Sequence, residues 1–351
     1  MSQVNTELGL PSTTTISLNQ ANVRALAGVP TGAISMQNLQ GKSATWVRTL
    51  STNQTDLNLY TWATGQGYPG SGSAEITIAP GVYIISSSTS NAALTIPNQF
   101  GAGNLRLINN GFVIGKGGNG GSAAPSGITH TMATAGGAAI SISTPILLTN
   151  NSFVAGGGGG GASLNGAAGT GGGGGGAGGG NGGASRDAAN NRSVGGAGAT
   201  TPNTAGANGG ALVTRSYGGA GGGLIIPGTG GAGAQFSLPT TPTRVVAIGG
   251  GAGGGGGGMS TQAGPIPTGT FANVVGGGGG GYGATGGPLG TATAPGGPRY
   301  IGGAGGSANN AGNVGNPSGA PVAGAAGGRG IQLNGNTVTT SGSGSIWGAV
   351  S

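Results

Sequence analysis

The sequence predicts a mostly β chain in which packed polyglycine II helices follow a short β-solenoid or β-prism, with a small helical element at the N-terminus. Three observations predict it. Glycine supplies 92 of 351 residues, far above the usual share of about 7%. Short apolar strings recur between the glycine runs, among them LIIP at Leu224–Pro227 and RVVAIG from Arg244. A 41-residue internal repeat runs directly into polyglycine. Collagen is excluded, because Gly156 to Gly161 and Gly253 to Gly258 break any Gly-X-Y register. Flexible low-complexity chain fits poorly, since disorder goes with charge and this chain has only 15 charged residues.

Residues 1–43 read as an attachment module. Ser17 is placed to cap a helix over LNQANVRALAG with Gly28 as its stop, and Ser35 to cap MQNLQ ahead of Gly41. Two helices this short bury too little surface to stand alone, so a docking element that borrows a partner's core is expected. Residues 44–74 read as a connector with Trp46, Tyr60, Trp62 and Tyr68, closing on the turn-rich TGQGYPGSGS.

Residues 75–155 read as β. EITIAPGVYII alternates about a Pro-Gly turn. LRLINNGFVIGKGG and ILLTNNSFVAGGGG then repeat, pairing Leu107 with Leu148, Asn109 with Asn150, Asn110 with Asn151, Phe112 with Phe153 and Val113 with Val154. A period of this length signals stacked units. Paired Asn suits the corners, where its amide can bond local backbone. Two or three coils are expected.

Residues 156–330 read as the glycine domain. A polyglycine II strand has three residues per turn, rises about 3.1 Å per residue and makes no internal hydrogen bonds. Its N–H and C=O groups point outward and find partners on neighbouring strands only where no Cβ intervenes. Ordering glycine costs more backbone entropy than ordering any other residue; pairing every buried peptide group offsets that cost. The result is a stiff block whose loops are fixed at both ends, and loops on rigid scaffolds carry recognition. The candidate loops are 183–195, 211–217, 259–275 and 282–301. Residues 331–351 read as a closing strand segment.

Chemistry is scarce. The chain has no cysteine, one histidine (His130) and four carboxylates, Glu7, Asp56, Glu75 and Asp187. His130 reads as an exposed loop residue. Asp56 with Glu75 is a poor supply for a glycosidase. GxGxxG-like strings such as Gly115 to Gly120 lack the helix and acid that a nucleotide site needs. No catalytic, cofactor-binding or metal residue is assigned. No apolar run reaches the length of a membrane span, so no membrane insertion is expected. The N-terminus has no signal-peptide pattern, and synthesis in a cytoplasm is expected. The net charge of +7 comes from singly spread cations, which gives weak attraction to polyanions rather than a nucleic-acid stripe. Aromatic and Arg side chains favour binding surfaces. The candidates for binding are therefore Arg215, Tyr217, Phe271, Tyr282, Arg299 and Tyr300. Trp46, Trp62 and Trp347 read as packing residues.

TTTISLNQANVRALAGVPTGAISMQNLQGKS resembles a module of tailed-bacteriophage tail proteins. LRLINNGFVIGKGGNGG with its polyglycine, and the ending SGSGSIWGAVS, resemble tail fibre and tail tip proteins. The glycine domain is similar to that of distal adhesins of long tail fibres. The resemblance implies a receptor-binding protein of the virion tail, made in the host cytoplasm. It implies a bacterial surface receptor, protein or glycan, contacts with other tail proteins through residues 1–43, and a homo-oligomer such as a trimer. A purely structural virion component is the alternative. Ice binding ranks last, because the inter-glycine loops are irregular.

Overall fold

The protein is described from a computed structural model. It covers residues 2–8, 10–41, 44–122, 131–162, 174–186, 192–193, 195–207, 211–212, 216–217, 221–224, 235–237, 245–247, 259–260, 271–275, 279–282, 290–294 and 324–351. Among the described residues the chain is mostly β, with few helices and three parallel sheets.

The N-terminal unit has three short helices, Ser2–Glu7, Ala21–Ala27 and Met36–Leu39. Val4, Ile16, Val23, Ala27 and Leu39 are buried together, with Leu8, Leu10, Leu18 and Leu26 against them. The unit therefore has a small core of its own. Gly28 ends the second helix in the left-handed region at φ 70°, as its lack of Cβ allows. The N-cap of that helix is Gln20 rather than Ser17, whose hydroxyl accepts from the Asn19 N–H in the preceding turn. The Asn38 side chain accepts from the N–H of Ser35 at 2.8 Å and so fixes the third helix.

The main body is built from repeated three-strand turns of chain. Sheet one stacks Trp46–Leu50, Ala74–Ile78, Leu105–Asn109, Ile146–Asn150 and Val338–Ser341. Sheet two stacks Gln54–Thr55, Tyr83–Ile85, Phe112–Ile114, Phe153–Ala155 and Ser345–Trp347. Sheet three stacks Leu57–Asn58, Leu94–Ile96, Ile140–Ile142 and Ile331–Gln332. Each turn visits the sheets in that order, so every stacked neighbour is the equivalent strand of the next turn and all pairs are parallel. The repeat has the expected register: Leu107 opposite Leu148, Asn109 opposite Asn150, Phe112 opposite Phe153, Val113 opposite Val154.

The body is longer than 75–155. Residues 44–74 carry its first turn, with Leu50, Leu57 and Leu59 buried in the shared core. The helix Leu59–Gly65 places Leu59 and Ala63 in that core, and Asn58 caps it by accepting from the N–H groups of Tyr60 and Thr61. At the other end of the sequence, Ile331 pairs with Ile140 and Trp347 with Ala155. The C-terminal segment thus completes the fourth turn and adds a fifth. Alternation puts Ile76, Ile78, Leu105, Leu107, Ile146 and Leu148 inside, each burial contributing about 1.5–3 kcal/mol.

The corners explain the paired Asn. Asn109 and Asn150 are buried polar residues. Asn109 Nδ2 donates to Asn150 Oδ1 at 2.8 Å and to the Phe153 carbonyl, while its Oδ1 accepts from the Gly111 N–H. Asn150 Nδ2 in turn reaches the Ser345 carbonyl. The outer pair repeats the contact in solvent, Asn151 Nδ2 donating to Asn110 Oδ1.

Two excursions leave the body between sheets two and three, at residues 115–139 of the third turn and 156–330 of the fourth. Their glycine segments pack against one another. The 156–161 segment lies at the centre of that contact. Gly157 and Gly160 donate to Gly137 and Thr134, and Gly158 and Gly161 donate to Ala177 and Gly174. The carbonyls of Gly157 and Gly160 accept from Gly328 and Ala325, and those of Gly158 and Gly161 from Gly118 and Gly121. The Gly159 carbonyl accepts from Gly280. Each neighbour therefore returns every third residue. A Cβ at Gly156, Gly157, Gly158, Gly159 or Gly160 would strike the backbone of one of those neighbours.

Candidate functional site

Sheet two has both faces covered, which accounts for its unbroken apolar strings FVI and FVA. Ile84, Val113 and Val154 face the body core. Tyr83, Ile114 and Ala155 face the glycine segments, where Ala177, Ala199, Leu224 and Tyr282 meet them. An aromatic row runs down this face. Tyr83 stacks on Phe112 at 4.5 Å, Phe112 on Phe153 at 5.8 Å, Phe153 lies 4.9 Å from Trp347, and Trp347 stacks on Tyr282 at 5.9 Å. Tyr83 also donates its hydroxyl to Asn203 Oδ1. These contacts fix which end of the glycine segments adjoins the body.

The other end is fixed by chain order. Gly156 bonds Trp347 at the body, and Gly161, five residues on, bonds Gly174 and Gly121. Ala199, Asn203 and Leu224 lie at the body end, and Ala207 bonds Gly221 beyond them. The segments after Gly183 and Ala207 therefore emerge away from the body. There they pair antiparallel: Arg186 opposite Arg192, Leu212 opposite Ser216, Tyr217 opposite Met259, Met259 opposite Val275, and Phe271 opposite Ala294. The strands 211–212, 216–217, 259–260, 271–275 and 290–294 form one sheet, and the hairpin of 185–186 with 192–193 lies against its first strands.

That sheet brings Tyr217 and Phe271 together on one backbone framework. Arg215, Arg299 and Tyr300 lie outside the described residues, as do His130 and Asp187. Tyr282 differs from its expectation. It is 1% exposed and sits against Trp347 at the body, its hydroxyl 3.4 Å from the Gly223 carbonyl. It is a packing residue, because it ends a glycine segment on the body side rather than the far side. The signal for the far site was strand propensity between glycine runs, as in FANVV opposite GTATA.

The carboxylates weighed for catalysis have structural partners. Glu75 pairs with Arg106 across adjacent strands at 2.8 Å. Asp56 sits at a corner with φ 50° and accepts from the Ser87 N–H, the Ser87 hydroxyl and the Ser86 hydroxyl. Burial alone would raise its pKa, but the Ser87 and Ser86 hydrogen bonds outweigh burial and hold it below the usual aspartate value. The charged form is therefore favoured by folding. Its contribution is present above the unfolded pKa and is lost as pH falls through the folded one. Asp56→Asn, which keeps the positive-φ tolerance, is expected to lower stability at pH 7 by less than about 1 kcal/mol after solvent screening. The gap from wild type should close in strong acid; thermal melts across pH check it, and a pH-independent gap would contradict the assignment.

Burial pushes the Lys116 amine down. The Gly115–Gly120 string carries no nucleotide turn. It continues as extended chain packed on the backbones of 134–138 and 176–178. Among the described residues no group of three metal-ligating side chains occurs, and no helix is long and apolar enough to cross a membrane.

The comparisons with known proteins bear on the same segments. Residues 45–252, more than half of the chain, match the family model described as phage tail fibre adhesin Gp38. The match begins at the first strand of the body and extends into the glycine segments. No curated protein matches the chain. Among solved structures, the crystal structure of the gp37–gp38 adhesin tip complex of the bacteriophage S16 long tail fiber is similar at 21% identity. It covers 64% of this chain and 82% of that chain, with a TM-score of 0.40. The chain belongs to the phage tail fibre adhesin Gp38 family, and is a binding component of the virion tail.

Proposed function

We propose that this adhesin recognises a bacterial surface receptor through the antiparallel strands and loops at the far end of its glycine segments. The observation that carries the reading is the gathering of strands 211–212, 216–217, 259–260, 271–275 and 290–294 into one sheet on the side away from the body. The glycine segments are read as a polyglycine II block. The three-residue recurrence of hydrogen-bond partners around Gly157–Gly161 supports this, since that is the repeat of such a helix. The body is read as a three-sided β-solenoid whose fourth turn hosts the block as an insertion. Tyr217 and Phe271 are the contact candidates in the strands; Arg215, Arg299 and Tyr300, outside the described residues, are candidates from the sequence. Residues 1–43, with their own small core, are read as the unit that joins other tail proteins. A receptor site held on a rigid block needs no ordering step on binding, which favours affinity.

The test is adsorption. Purified chain is expected to bind susceptible cells and to block phage adsorption, and Tyr217→Ala with Phe271→Ala is expected to weaken both at unchanged melting temperature. Absence of cell binding by the native assembly would leave only a structural role in the tail.

A further inference from the structure

The antiparallel register places Arg186 directly opposite Arg192, and the same hairpin lies beside the strand that holds Tyr217. Like charges directly opposite across two strands are destabilising. A chain with only 15 charged residues has little reason to set two of its nine arginines there for folding. The charge of the sequence points the same way. Residues 183–301 hold five arginines (186, 192, 215, 244 and 299) against the one carboxylate of Asp187, a net charge of +4 out of the chain's +7. Asp187 follows Arg186 directly and balances at most one of the pair. An anionic ligand would turn the repulsion into attraction, because guanidinium groups bind phosphate and carboxylate through paired, charge-assisted hydrogen bonds.

We propose that the Arg186–Arg192 pair is an anion subsite, and that the receptor is an anionic surface glycan bearing phosphate or carboxylate groups. Tyr217, on the neighbouring strand, is the aromatic residue we assign to stacking on sugars. This rests on the adhesin reading above and narrows it from any surface receptor to a charged glycan.

The experiment measures binding of the full chain to immobilised lipopolysaccharide and capsular polysaccharide from a susceptible host. Each is used untreated and after removal of phosphate or reduction of carboxyl groups. Wild type is expected to bind at least one untreated glycan, to lose roughly tenfold or more in affinity when the matching charged group is removed, and to weaken as salt rises. Arg186→Gln with Arg192→Gln is expected to reproduce that loss while melting at the wild-type temperature or above, since repulsion is relieved. Arg186→Lys with Arg192→Lys keeps the charge and is expected to retain most of the binding. Unchanged glycan binding by the Gln variant, or no glycan binding by a wild type that still binds cells, would overturn the anion subsite and leave the adhesin reading standing. Failure of wild type to bind cells at all would overturn both.

Discussion

Gly157→Val is expected to destabilise the glycine segments by at least about 3 kcal/mol and to abolish cell binding. A Cβ at this position meets the backbone of Lys116 and Gly117, which belong to the first excursion. Backbone cannot rotate away as a side chain can, so the two segments must separate. Overpacking of this kind costs about 1–3 kcal/mol. Separation also strains the bonds from Gly157 to Gly137, from Gly328 to Gly157 and from Gly118 to Gly158, each with a net value of about 1 kcal/mol. A glycine elsewhere supplies the control. Gly65 ends the helix Leu59–Gly65, has no atom within 4 Å of the place a methyl group would take, and is not in the positive-φ region. Gly65→Ala is expected to be neutral or to stabilise by up to about 1 kcal/mol. Thermal unfolding and adsorption blocking by the two variants separate steric exclusion from a general intolerance of replacing glycine. Wild-type behaviour of Gly157→Val would refute the close packing.

The second large effect is at the inner Asn of the repeat. Asn109→Ala removes the acceptor of the Gly111 N–H and the donor to Asn150 Oδ1 and the Phe153 carbonyl in one step. Buried groups left without partners cost about 1–3 kcal/mol each, and relaxation of the corner recovers part of that. A loss of about 2–4 kcal/mol is expected by chemical denaturation. Asn110→Ala, one residue on, removes a single exposed contact to Asn151 and is expected to cost less than about 1 kcal/mol. Equal losses from the two would contradict the burial difference between them.

These two Asn look alike in the sequence, and the contrast shows how far reading residues alone reaches. The repeat set out the register of the third and fourth turns residue by residue, because identical side chains stack only when their strands align. Gly28 was legible as a helix stop, since few other residues tolerate its backbone conformation. The first turn was not legible. Trp46 and Trp62 read as packing residues of a connector, yet nothing local shows that they and Tyr68 close one end of the body, with Trp46 5.3 Å from Tyr68 and 6.4 Å from Trp62. The return of the chain was hidden too. Nothing local in IQLNGNTVTTSGSGSIWGAV says that it stacks on strands far earlier in the chain, such as Ile146–Asn150, because the match is in shape and not in repeated letters. Thr339 and Thr340 stand where the preceding turn has Leu147 and Leu148.

The same long-range closure explains the candidate site. Tyr282 follows six glycines, just as a loop residue would, and only the position of Trp347 reveals that it faces the body. Tyr217 and Phe271 are 54 positions apart in sequence but share a sheet, because segments from different passes of the chain pair there. Composition predicts a scaffold and its loops; which loop end faces outward depends on where the chain enters and leaves the body.

Amide hydrogen exchange at Gly157, Gly158, Gly160 and Gly161 tests the central claim most directly, that backbone pairing alone makes the glycine segments a rigid scaffold. These N–H groups donate to Gly137, Ala177, Thr134 and Gly174, so protection comparable to that of Leu107 and Leu148 in the body is predicted. Exchange at the rate of an unstructured glycine chain would contradict it.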